Sequence, residues 1–557
     1  MSGGSEAASG PGAGEEGAAE GETCSSCGAD IGRTRDGLCP ACWYGAGERP
    51  KPVRDRFETL GRLREESFEP YAYAFRRSHT LEEARELWES REEEAAGGEA
   101  AEAGEGPRVR VAGRIRSYRD LGGSAFAHLE DRSGRLQVYL KRDLLEPREE
   151  TLMDNLDLGD WVGVEGVLMR TRTGEVTVRV VDLVLLSKTL RPLPLGKDEV
   201  DESGERVVHG GFADPEARYR ERYADLAVNP EVREVFRLRS ALVRRLRRFL
   251  DERDFLEVET PVLQPVYGGA SARPFTTRHN ALGSTLYLRI ADELYLKRLL
   301  VGNLERVYEI GKDFRNEGID RSHNPEFTML EAYQAFADYG DMMEMAEAMV
   351  TDAVAHAGEG LELEFDGRTL DFSSPWERTT YRDAFRQHVG VDPLEAGEAQ
   401  LRAAALEAGR EDAGELSRMR LVDALFSIRV EPRLQDPVIV FDHPIEMSPL
   451  AKPKRGDPRL AERFEVVAGG LEIVNAFSEL NDPLDQWRRF AEQARRQREG
   501  DADAQSFDED YLRALEYGLP PTGGLGLGVD RLVMLVSGRT SIREVILFPL
   551  LRPDEDE

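Results

Sequence analysis

Hydrophobic residues follow two different periods along the first half of the chain. Between Phe57 and Glu94 they recur at helical spacing among charges, which predicts short amphipathic helices. Between Pro107 and Lys188 the period changes to two and glycine-bearing turns separate the apolar runs, so this segment predicts five strands. The runs are Val109–Val111, Ala125–Leu129, Leu136–Leu140, Trp161–Gly166 and Val176–Val180.

Five short antiparallel strands fit a small closed barrel of the OB type, whose sheet face commonly binds single-stranded nucleic acid. Phe126 and His128 project to one side of their strand, and Arg114 and Gln137 lie on neighbouring strands. An aromatic ring can stack on a base while polar groups read its edges. Phe126 can equally cap the barrel, and the residues alone leave both alternatives open.

Helical spacing returns in the second half of the chain. Apolar residues with arginines between them run from Val232 to Leu250 and predict one long helix. The segment Phe255–Pro261 follows as a strand closed by proline, and we interpret the pair as a dimer-forming element. Residues 189–230, which carry several prolines, are interpreted as a connector.

Composition limits the class of protein. A chain of 557 residues predicts two or three domains, and 40% hydrophobic with 32% charged residues indicates a globular protein. No apolar run approaches the roughly 18 residues of a membrane-spanning helix, and residues 1–22 lack the profile of a signal peptide. We therefore expect a cytoplasmic protein that is not bound to a membrane.

The charge balance is strongly acidic, with 106 acidic against 74 basic residues, a net charge of -32 and only eight lysines. Acid-rich, lysine-poor surfaces suit a salty cytoplasm, where screening reduces self-repulsion, so we expect an acidic, halophile-like surface. The same charge disfavours broad non-specific binding of nucleic acid. Any RNA contact must then use a local basic surface or stacked bases.

All four cysteines lie in one short segment as two Cys-x2-Cys pairs, Cys24 with Cys27 and Cys39 with Cys42. Two such pairs place four thiolates where one tetrahedral zinc ion can bind, and a cytosolic setting disfavours disulfides. The sequence predicts a zinc-ribbon-like module over residues 23–50. A degenerate, metal-free module and a redox pair are the alternatives.

The flanking segments complete the predicted organisation. Residues 1–22 consist mainly of Gly, Ala, Ser and Glu and are predicted to be a disordered acidic leader. Residues 51–106 are predicted to be a helical segment that ends in an acidic linker.

Candidate chemistry lies on two short segments joined by a tight loop, Phe314–Glu317 and His323–Glu331. The guanidinium of Arg315 can hold a carboxylate and a phosphate oxygen at once, and Phe327 can give an adenine ring a face to stack on. A charged hairpin on a solvated surface is the alternative. The strand-like run Val307–Gly311 before the arginine favours a site for a nucleotide and an acid.

From about Phe57 to Pro553 the chain resembles class II lysyl-tRNA synthetases. Three motifs of that class occur in order: the long helix with the strand ending at Pro261, then Phe314–Glu331, then Gly524–Leu532. The first motif departs from the family pattern, because Asp254 stands where the class usually places glycine, and the cysteine module lies outside the family core. The lysine-type signatures are Gly268–Phe275, Arg289–Arg298, Met447–Lys452 and Asn475–Asp482.

This resemblance implies an α+β fold. A class II catalytic domain over residues 231–557, built on an antiparallel sheet flanked by helices, would follow an OB-type anticodon-binding barrel over residues 107–188 and the zinc-ribbon-like module. It implies a homodimer with the first motif at the interface. The implied enzyme activates L-lysine with ATP and Mg²⁺ to lysyl-adenylate, releases pyrophosphate, and transfers lysine to the 3′ end of tRNA(Lys).

The resemblance also implies roles for ATP-binding residues. Arg315, the catalytic residue, would bridge the lysine carboxylate and the α-phosphate. Phe327 and Arg531 would sandwich adenine, Glu317 and Asn324 would hold the adenosine portion, and His323 would approach the outer phosphates. The implied ATP-binding set is Arg315, Glu317, His323, Asn324, Phe327, Gly526, Gly528 and Arg531.

For lysine, the resemblance implies that Glu293 and the backbone at Gly269 bind the α-amino group. Glu479, aided by Tyr333, would pair with the ε-ammonium. The implied lysine-binding set is Gly269, Glu293, Arg315, Tyr333, Asn475, Phe477 and Glu479.

Metal and RNA contacts follow in the same way. Glu465 and Glu472 are the implied magnesium ligands, and carboxylates with phosphate oxygens suit that ion. Arg114, Phe126 and Gln137 are the implied anticodon contacts. Zn²⁺ at the four cysteines is a further possible cofactor.

Three alternatives have to be weighed. An aspartyl- or asparaginyl-type relative shares the barrel and the class motifs, but an acidic substrate would call for cations where Glu293 and Glu479 stand. A lysine-activating paralogue that modifies a protein would lack the barrel. A non-catalytic RNA-binding or regulatory protein is disfavoured by the intact Arg315, Glu465 and Arg531.

Overall fold

The structure is a computed structural model that describes residues 50–96, 106–200, 206–209, 211–358, 360–498 and 506–553. The four cysteines, the leader and nearly all of the predicted zinc-ribbon-like module lie outside the described residues. The described residues divide into two compact units, one before and one after the Leu195–Gly196 bond of the chain.

The first unit is a closed five-stranded barrel with strand order β1-β2-β3-β5-β4. Alternate residues point inward, as Ala125, Ala127 and Leu129 do on the second strand, so the period-two pattern fills the barrel with apolar side chains. The predicted five-stranded barrel is therefore confirmed, although its third and fifth strands pair in parallel and not antiparallel as expected. Its elements are α1 (Lys51–Glu65), α2 (Leu81–Ala96), β1 (Arg108–Asp120), β2 (Ser124–Glu130), β3 (Arg135–Lys141), α3 (Pro147–Met153), β4 (Trp161–Arg170) and β5 (Val176–Ser187).

The second unit contains most of the strands and helices of the described residues. Its strands are β6 (Lys197–Val200), β7 (Arg206–His209), β8 (Leu256–Glu257), β9 (Leu263–Gln264), β10 (Thr276–His279), β11 (Ser284–Leu288), β12 (Arg306–Phe314), β13 (Glu326–Ala335), β14 (Glu362–Phe365), β15 (Arg368–Asp371), β16 (Glu377–Thr380), β17 (Val438–Pro444), β18 (Pro453–Lys454), β19 (Asp457–Ala468), β20 (Leu471–Ser478) and β21 (Thr522–Gly528). Its helices are α4 (Pro215–Arg220), α5 (Arg222–Val228), α6 (Pro230–Asp251), α7 (Glu293–Val301), α8 (Tyr339–Ala357), α9 (Tyr381–Val389), α10 (Glu398–Glu407), α11 (Arg418–Leu425), α12 (Pro483–Arg498), α13 (Glu509–Glu516), α14 (Val529–Ser537) and α15 (Ile542–Val545).

Nine of these strands form one large sheet in the order β16-β17-β19-β20-β21-β13-β12-β8, with β18 paired to β19. The central pairs are antiparallel, whereas β16 with β17 and β8 with β12 run parallel at the two edges. The sheet is thus antiparallel where the motif residues lie and mixed at its margins.

Helices α6, α8 and α14 cover one face of this sheet. Leu242 and Leu246 of α6, Met349 of α8 and Leu532 of α14 belong to one buried apolar cluster with the strands. The apolar stripe of α6 explains why the long helix predicted over Val232–Leu250 forms. The opposite face of the sheet carries the polar residues of the candidate site described below.

The strand predicted after that helix is much shorter in the structure, where only Leu256 and Glu257 pair with β12. The turn before it contains Asp254, whose φ is 60°. This left-handed conformation favours glycine, although aspartate tolerates it better than most residues. The departure from the family pattern therefore falls at a position where the backbone itself favours glycine.

None of the described helices is both long and apolar enough to span a bilayer.

Gly166 provides a test of the barrel. A Cβ atom there would overlap the carbonyl oxygen of Arg179 and lie 2.7 Å from Cγ1 of Val178. We expect Gly166→Ala to lower the free energy of unfolding of the barrel by about 1–3 kcal/mol, because overpacking forces backbone shifts. Gly123→Ala, where no atom lies within 4 Å of the added Cβ, is the control. Urea unfolding followed through barrel fluorescence measures both, and equal stabilities would contradict the packing argument.

Candidate active site

The face of the central sheet opposite α6, α8 and α14 carries the motif residues in rows. Gly526 of β21 lies in register between Glu331 of β13 and Asn475 of β20. Two residues further along each strand, Gly524 lies between Tyr333 and Phe477. Because side chains two residues apart share one face of a sheet, these rows place the candidate residues side by side.

Two adjoining cavities open on this face. The larger has a volume of about 680 Å³ and the smaller about 270 Å³. All seven residues of the implied lysine set line the larger cavity: Gly269, Glu293, Arg315, Tyr333, Asn475, Phe477 and Glu479. All eight residues of the implied ATP set line the smaller one: Arg315, Glu317, His323, Asn324, Phe327, Gly526, Gly528 and Arg531.

Gly524 lies at the floor of the larger cavity, at a position where a side chain would not fit. A Cβ atom at this position would overlap the carboxylate of Glu479 and lie 2.5 Å from the ring of Tyr333. Both side chains therefore rest directly on bare backbone. The glycine-rich strand predicted to approach a nucleotide thus also shapes the cavity beside it.

Lys297 is a site residue that the sequence analysis did not identify. Its ammonium is fully buried, donates to the carboxylate of Glu293 at 2.5 Å and forms a very short ion pair with Glu479. It also lies 5.1 Å from the ring centroid of Phe477. Burial by itself lowers the pKa of Lys297, but the two carboxylates outweigh it and raise that pKa, so the ammonium stays charged.

Tyr333 forms a hydrogen bond with a carboxylate of its own strand. Its hydroxyl donates to Oε2 of Glu331 at 2.7 Å. Its ring lies 5.8 Å from the ammonium of Lys297. Tyr333 therefore contributes an aromatic wall to this end of the cavity, with its hydroxyl tied to β13.

The smaller cavity has aromatic and cationic walls. The guanidinium of Arg315 lies 5.0 Å from the ring centroid of Phe327. Across the cavity, Arg531 donates to the carbonyl oxygen of Glu472 at 2.7 Å and lies 3.3 Å from Nε2 of His323. The buried Oδ1 of Asn324 has no hydrogen-bond partner within the described residues and is available to a ligand.

The two implied metal ligands differ in their surroundings. Glu465 accepts from Arg463 at 2.5 Å and lies 3.4 Å from Nε2 of His443. Burial alone raises its pKa, but the neighbouring His443 and Arg463 lower that pKa to about 2. Burial and the charge of Glu465 instead raise the pKa of Glu472, which lines both cavities.

Arg463 is a second residue that the sequence analysis missed. Besides Glu465 it binds Oδ1 of Asn475 at 3.0 Å and therefore orients residues of two strands. Its position two residues before Glu465 places both side chains on one face of β19, so strand periodicity could have identified it.

The barrel, considered by itself, presents its own polar face. Phe126 packs 4.7 Å from Tyr139, and the guanidinium of Arg114 lies 5.0 Å from the ring of Trp161. Gln137 donates to Glu175 at 2.7 Å, and His128 contacts the other oxygen of the same carboxylate. Tyr139 and Glu175 extend this face beyond the predicted residues. All the side chains named here except Glu175, which is exposed, are half-buried.

Family models of known proteins match both the barrel and the second unit. The family model of class II tRNA synthetases (D, K and N) matches residues 214–552, and that of the OB-fold nucleic acid binding domain matches residues 109–186. This fold and cavity therefore define a class II tRNA synthetase.

Among curated relatives, a lysine–tRNA ligase of Roseiflexus castenholzii is 50% identical over 505 residues, covering 90% of this chain and 99% of the relative. Another lysine–tRNA ligase, from Pelotomaculum thermopropionicum, is 47% identical and covers 90% and 95% of the two chains. A third, from Syntrophomonas wolfei, is 46% identical and covers 90% and 97%. The chain belongs to the lysine–tRNA ligase family.

Lys297→Met tests the charge balance of the larger cavity. Removing the ammonium leaves Glu293 and Glu479 buried without their cation, so we expect the free energy of unfolding to fall by about 3–5 kcal/mol. Lys312→Met is the matched control, because Lys312 is part of an exposed pair with Glu326 at 3.7 Å and should change stability by about 1 kcal/mol or less. Denaturant unfolding compares them, and similar losses in both variants would remove Lys297 from this role.

Proposed function

We propose that the protein is an ATP-dependent lysine–tRNA ligase that forms lysyl-adenylate and then charges tRNA(Lys). The observation that carries this proposal is the meeting of the two cavities at Arg315. An acidic compartment suited to a diamine lies on one side of this guanidinium, and a compartment with an aromatic wall lies on the other.

Activation requires the lysine carboxylate to attack the α-phosphorus of ATP in line. The carboxylate is already ionised at neutral pH, so the task of the protein is to bring two anions together rather than to remove a proton. Arg315 is suited to this task because its fork can bind both anions at once. Nε of Arg315 donates to the carbonyl oxygen of Ile290 at 3.4 Å.

ATP would enter the smaller cavity with adenine against Phe327 and Arg531 on the opposite side of the ring. For this sandwich Arg315 would leave its position over Phe327 and turn toward the phosphates. Asn324, with its unused carbonyl oxygen, and Glu317 would hold the adenosine portion. The bare backbone at Gly526 and Gly528 leaves room for the nucleotide.

The donor set at this wall fits magnesium. Glu472 is the better candidate, because it lines both cavities and because burial and the neighbouring charge of Glu465, which together raise its pKa, leave a negative charge that a cation would neutralise. Glu465 already has Arg463 and His443 beside it and would act as a supporting ligand. A bound magnesium ion would neutralise part of the triphosphate charge.

Lysine would bind with its α-amino group at Glu293 and Gly269 and its ε-ammonium at Glu479. Lys297 already contacts both carboxylates, so the substrate would share them rather than find them free. An amino acid with a neutral side chain of similar length should bind more weakly than lysine. Without an ε-ammonium it would leave a buried carboxylate less well paired.

The barrel face would bind the anticodon through Phe126, Arg114 and Gln137, with Tyr139 extending the stacking surface.

We also propose a homodimer. Leu256, Val262 and Leu263, directly after α6, are 40–50% exposed apolar residues at the first motif. Zinc at the four cysteines, the halophile-like surface and a cytoplasmic location remain predictions from the sequence.

Glu479→Gln tests lysine recognition. In lysine-dependent ATP–pyrophosphate exchange we expect the KM for lysine to rise about 10–100-fold, because a charge-assisted contact is worth about 1.5–3 kcal/mol, while the KM for ATP changes little. Glu446→Gln, at an exposed carboxylate on the rim of the same cavity, is the control and should leave both constants unchanged. Equal losses for both substrates would remove Glu479 from this role, and exchange driven better by another amino acid would overturn the proposed substrate.

Phe126→Ala tests the barrel. Loss of one base stack is worth about 1–3 kcal/mol, so tRNA charging should fall about 10–100-fold in kcat/KM while pyrophosphate exchange stays at the wild-type rate. Tyr73→Ala, at an aromatic side chain that is 97% exposed, is the control. The anticodon role fails if exchange and charging fall together or if neither changes.

A further inference from the structure

One arginine of α6 binds three elements that line the smaller cavity. Nη1 of Arg239 donates to Oδ1 of Asp530 at 2.5 Å and to the carbonyl oxygen of Val545 at 3.3 Å. Its Nη2 donates to the hydroxyl oxygen of Thr328 at 2.9 Å. These partners belong to α14, α15 and β13, whereas Arg239 itself lines neither cavity. A single guanidinium therefore connects α6 to three walls of the compartment proposed for ATP.

Asp530 extends the pairing of β13 beyond the end of β21. The last residue pair between these two strands is Met329 with Gly528. Beyond it, Oδ2 of Asp530 accepts the backbone N–H of Thr328 at 2.6 Å. The carboxylate is buried, with 3% of its side chain exposed, and Arg239 supplies a countercharge to it. One oxygen of Asp530 thus binds α6 and the other binds β13.

The residues held in this way are the sequence neighbours of the two proposed adenine walls. Phe327 precedes Thr328, and Arg531 follows Asp530. Neighbouring side chains on a strand point to opposite faces, so the hydroxyl of Thr328 meets α6 while Phe327 lines the cavity. The hydrogen bond from Thr328 to Asp530 therefore fixes the strand that carries Phe327 against the start of the helix that carries Arg531.

We propose that Arg239 is a positioning residue for ATP. It acts through Asp530 and Thr328 rather than by contact with substrate. A base binds between two side chains when the gap between them matches its thickness, so the spacing of Phe327 and Arg531 has to be held before ATP arrives. This inference rests on the proposed function, because it requires that the smaller cavity bind ATP. It adds a residue of the first motif to the nucleotide site.

A purely structural ion pair is the competing interpretation. Breaking such a buried pair would lower stability without affecting one substrate more than the other. Arg245 of the same helix provides a matched comparison. Its side chain is 19% exposed, as that of Arg239 is, and it binds both carboxylate oxygens of Asp352 on α8 at 2.5 and 2.6 Å. Neither Arg245 nor Asp352 lines the two cavities.

Lysine-dependent ATP–pyrophosphate exchange with the full-length protein tests the proposal through three variants. Arg239→Met removes the guanidinium, whereas Arg239→Lys keeps a cation for Asp530 but cannot reach Thr328 as well. We expect the KM for ATP to rise about tenfold or more in Arg239→Met and by a smaller factor in Arg239→Lys, because displaced binding groups lose affinity. The KM for lysine should stay near the wild-type value in both variants. Arg245→Met is the control and should leave both constants unchanged.

Two inhibitors that compete with ATP locate the loss within the nucleotide. Adenosine provides only the base and the sugar, and tripolyphosphate provides only the charge. The inhibition constant of adenosine should rise in Arg239→Met by the same factor as the KM for ATP, while that of tripolyphosphate should not change. A loss of stability shared by the whole unit would shift both inhibitors and lysine together, so these constants separate positioning from a structural role.

The possible outcomes distinguish this inference from the function on which it rests. A wild-type protein that catalyses no lysine-dependent exchange would refute the proposed function. Wild-type exchange with an unchanged KM for ATP in both Arg239 variants would overturn the positioning role, and so would equal rises for ATP, lysine and both inhibitors. If the Tm shows that Arg239→Met does not fold while Arg245→Met does, the comparison is made with Arg239→Lys, which retains the charge that Asp530 needs.

Discussion

Negative charge packed against the middle of an antiparallel sheet is the constraint on which this structure depends. Glu293, Glu331, Glu465 and Glu479 are each 8% exposed or less and stand on or beside neighbouring strands. Buried carboxylates of one sign repel strongly where water is excluded, so each needs a cation or a proton. Lys297 meets this need for two of them. The apolar cluster under α6, α8 and α14 holds the sheet while its polar face carries this charge.

Strand periodicity explains why so much of the fold and the site was predictable. The barrel strands β1, β2 and β3 alternate over most of their length, and a period of two has only one way to bury its apolar face. In the sheet, Asn475, Phe477 and Glu479 follow the same rule, so one motif places three side chains on one face. The resemblance supplied their roles, and the structure shows that they line a single cavity.

What the sequence could not predict depends on contacts between distant segments. Lys297 follows Glu293 by one helical turn, which the sequence displays, but its pairing with Glu479 requires α7 to approach the residue that follows β20. The strand expected at Phe255–Pro261 shortens because pairing with β12 extends over two residues only. By contrast, the hydrogen bond from Tyr333 to Glu331 joins residues two apart on one strand, so strand periodicity could have predicted it.

Arg315 lies where the acidic cavity proposed for lysine meets the cavity proposed for ATP. Arg315, Glu472, Asn475 and Gly526 line both cavities, so a ligand in one meets a ligand in the other at this wall. The acidic end of the larger cavity lies away from it, at Glu479. A diamine acid that places its ammonium there would direct its carboxylate back toward the arginine. The field that selects the side chain would therefore also orient the reacting group, and the proposed recognition and activation would depend on the same set of buried charges.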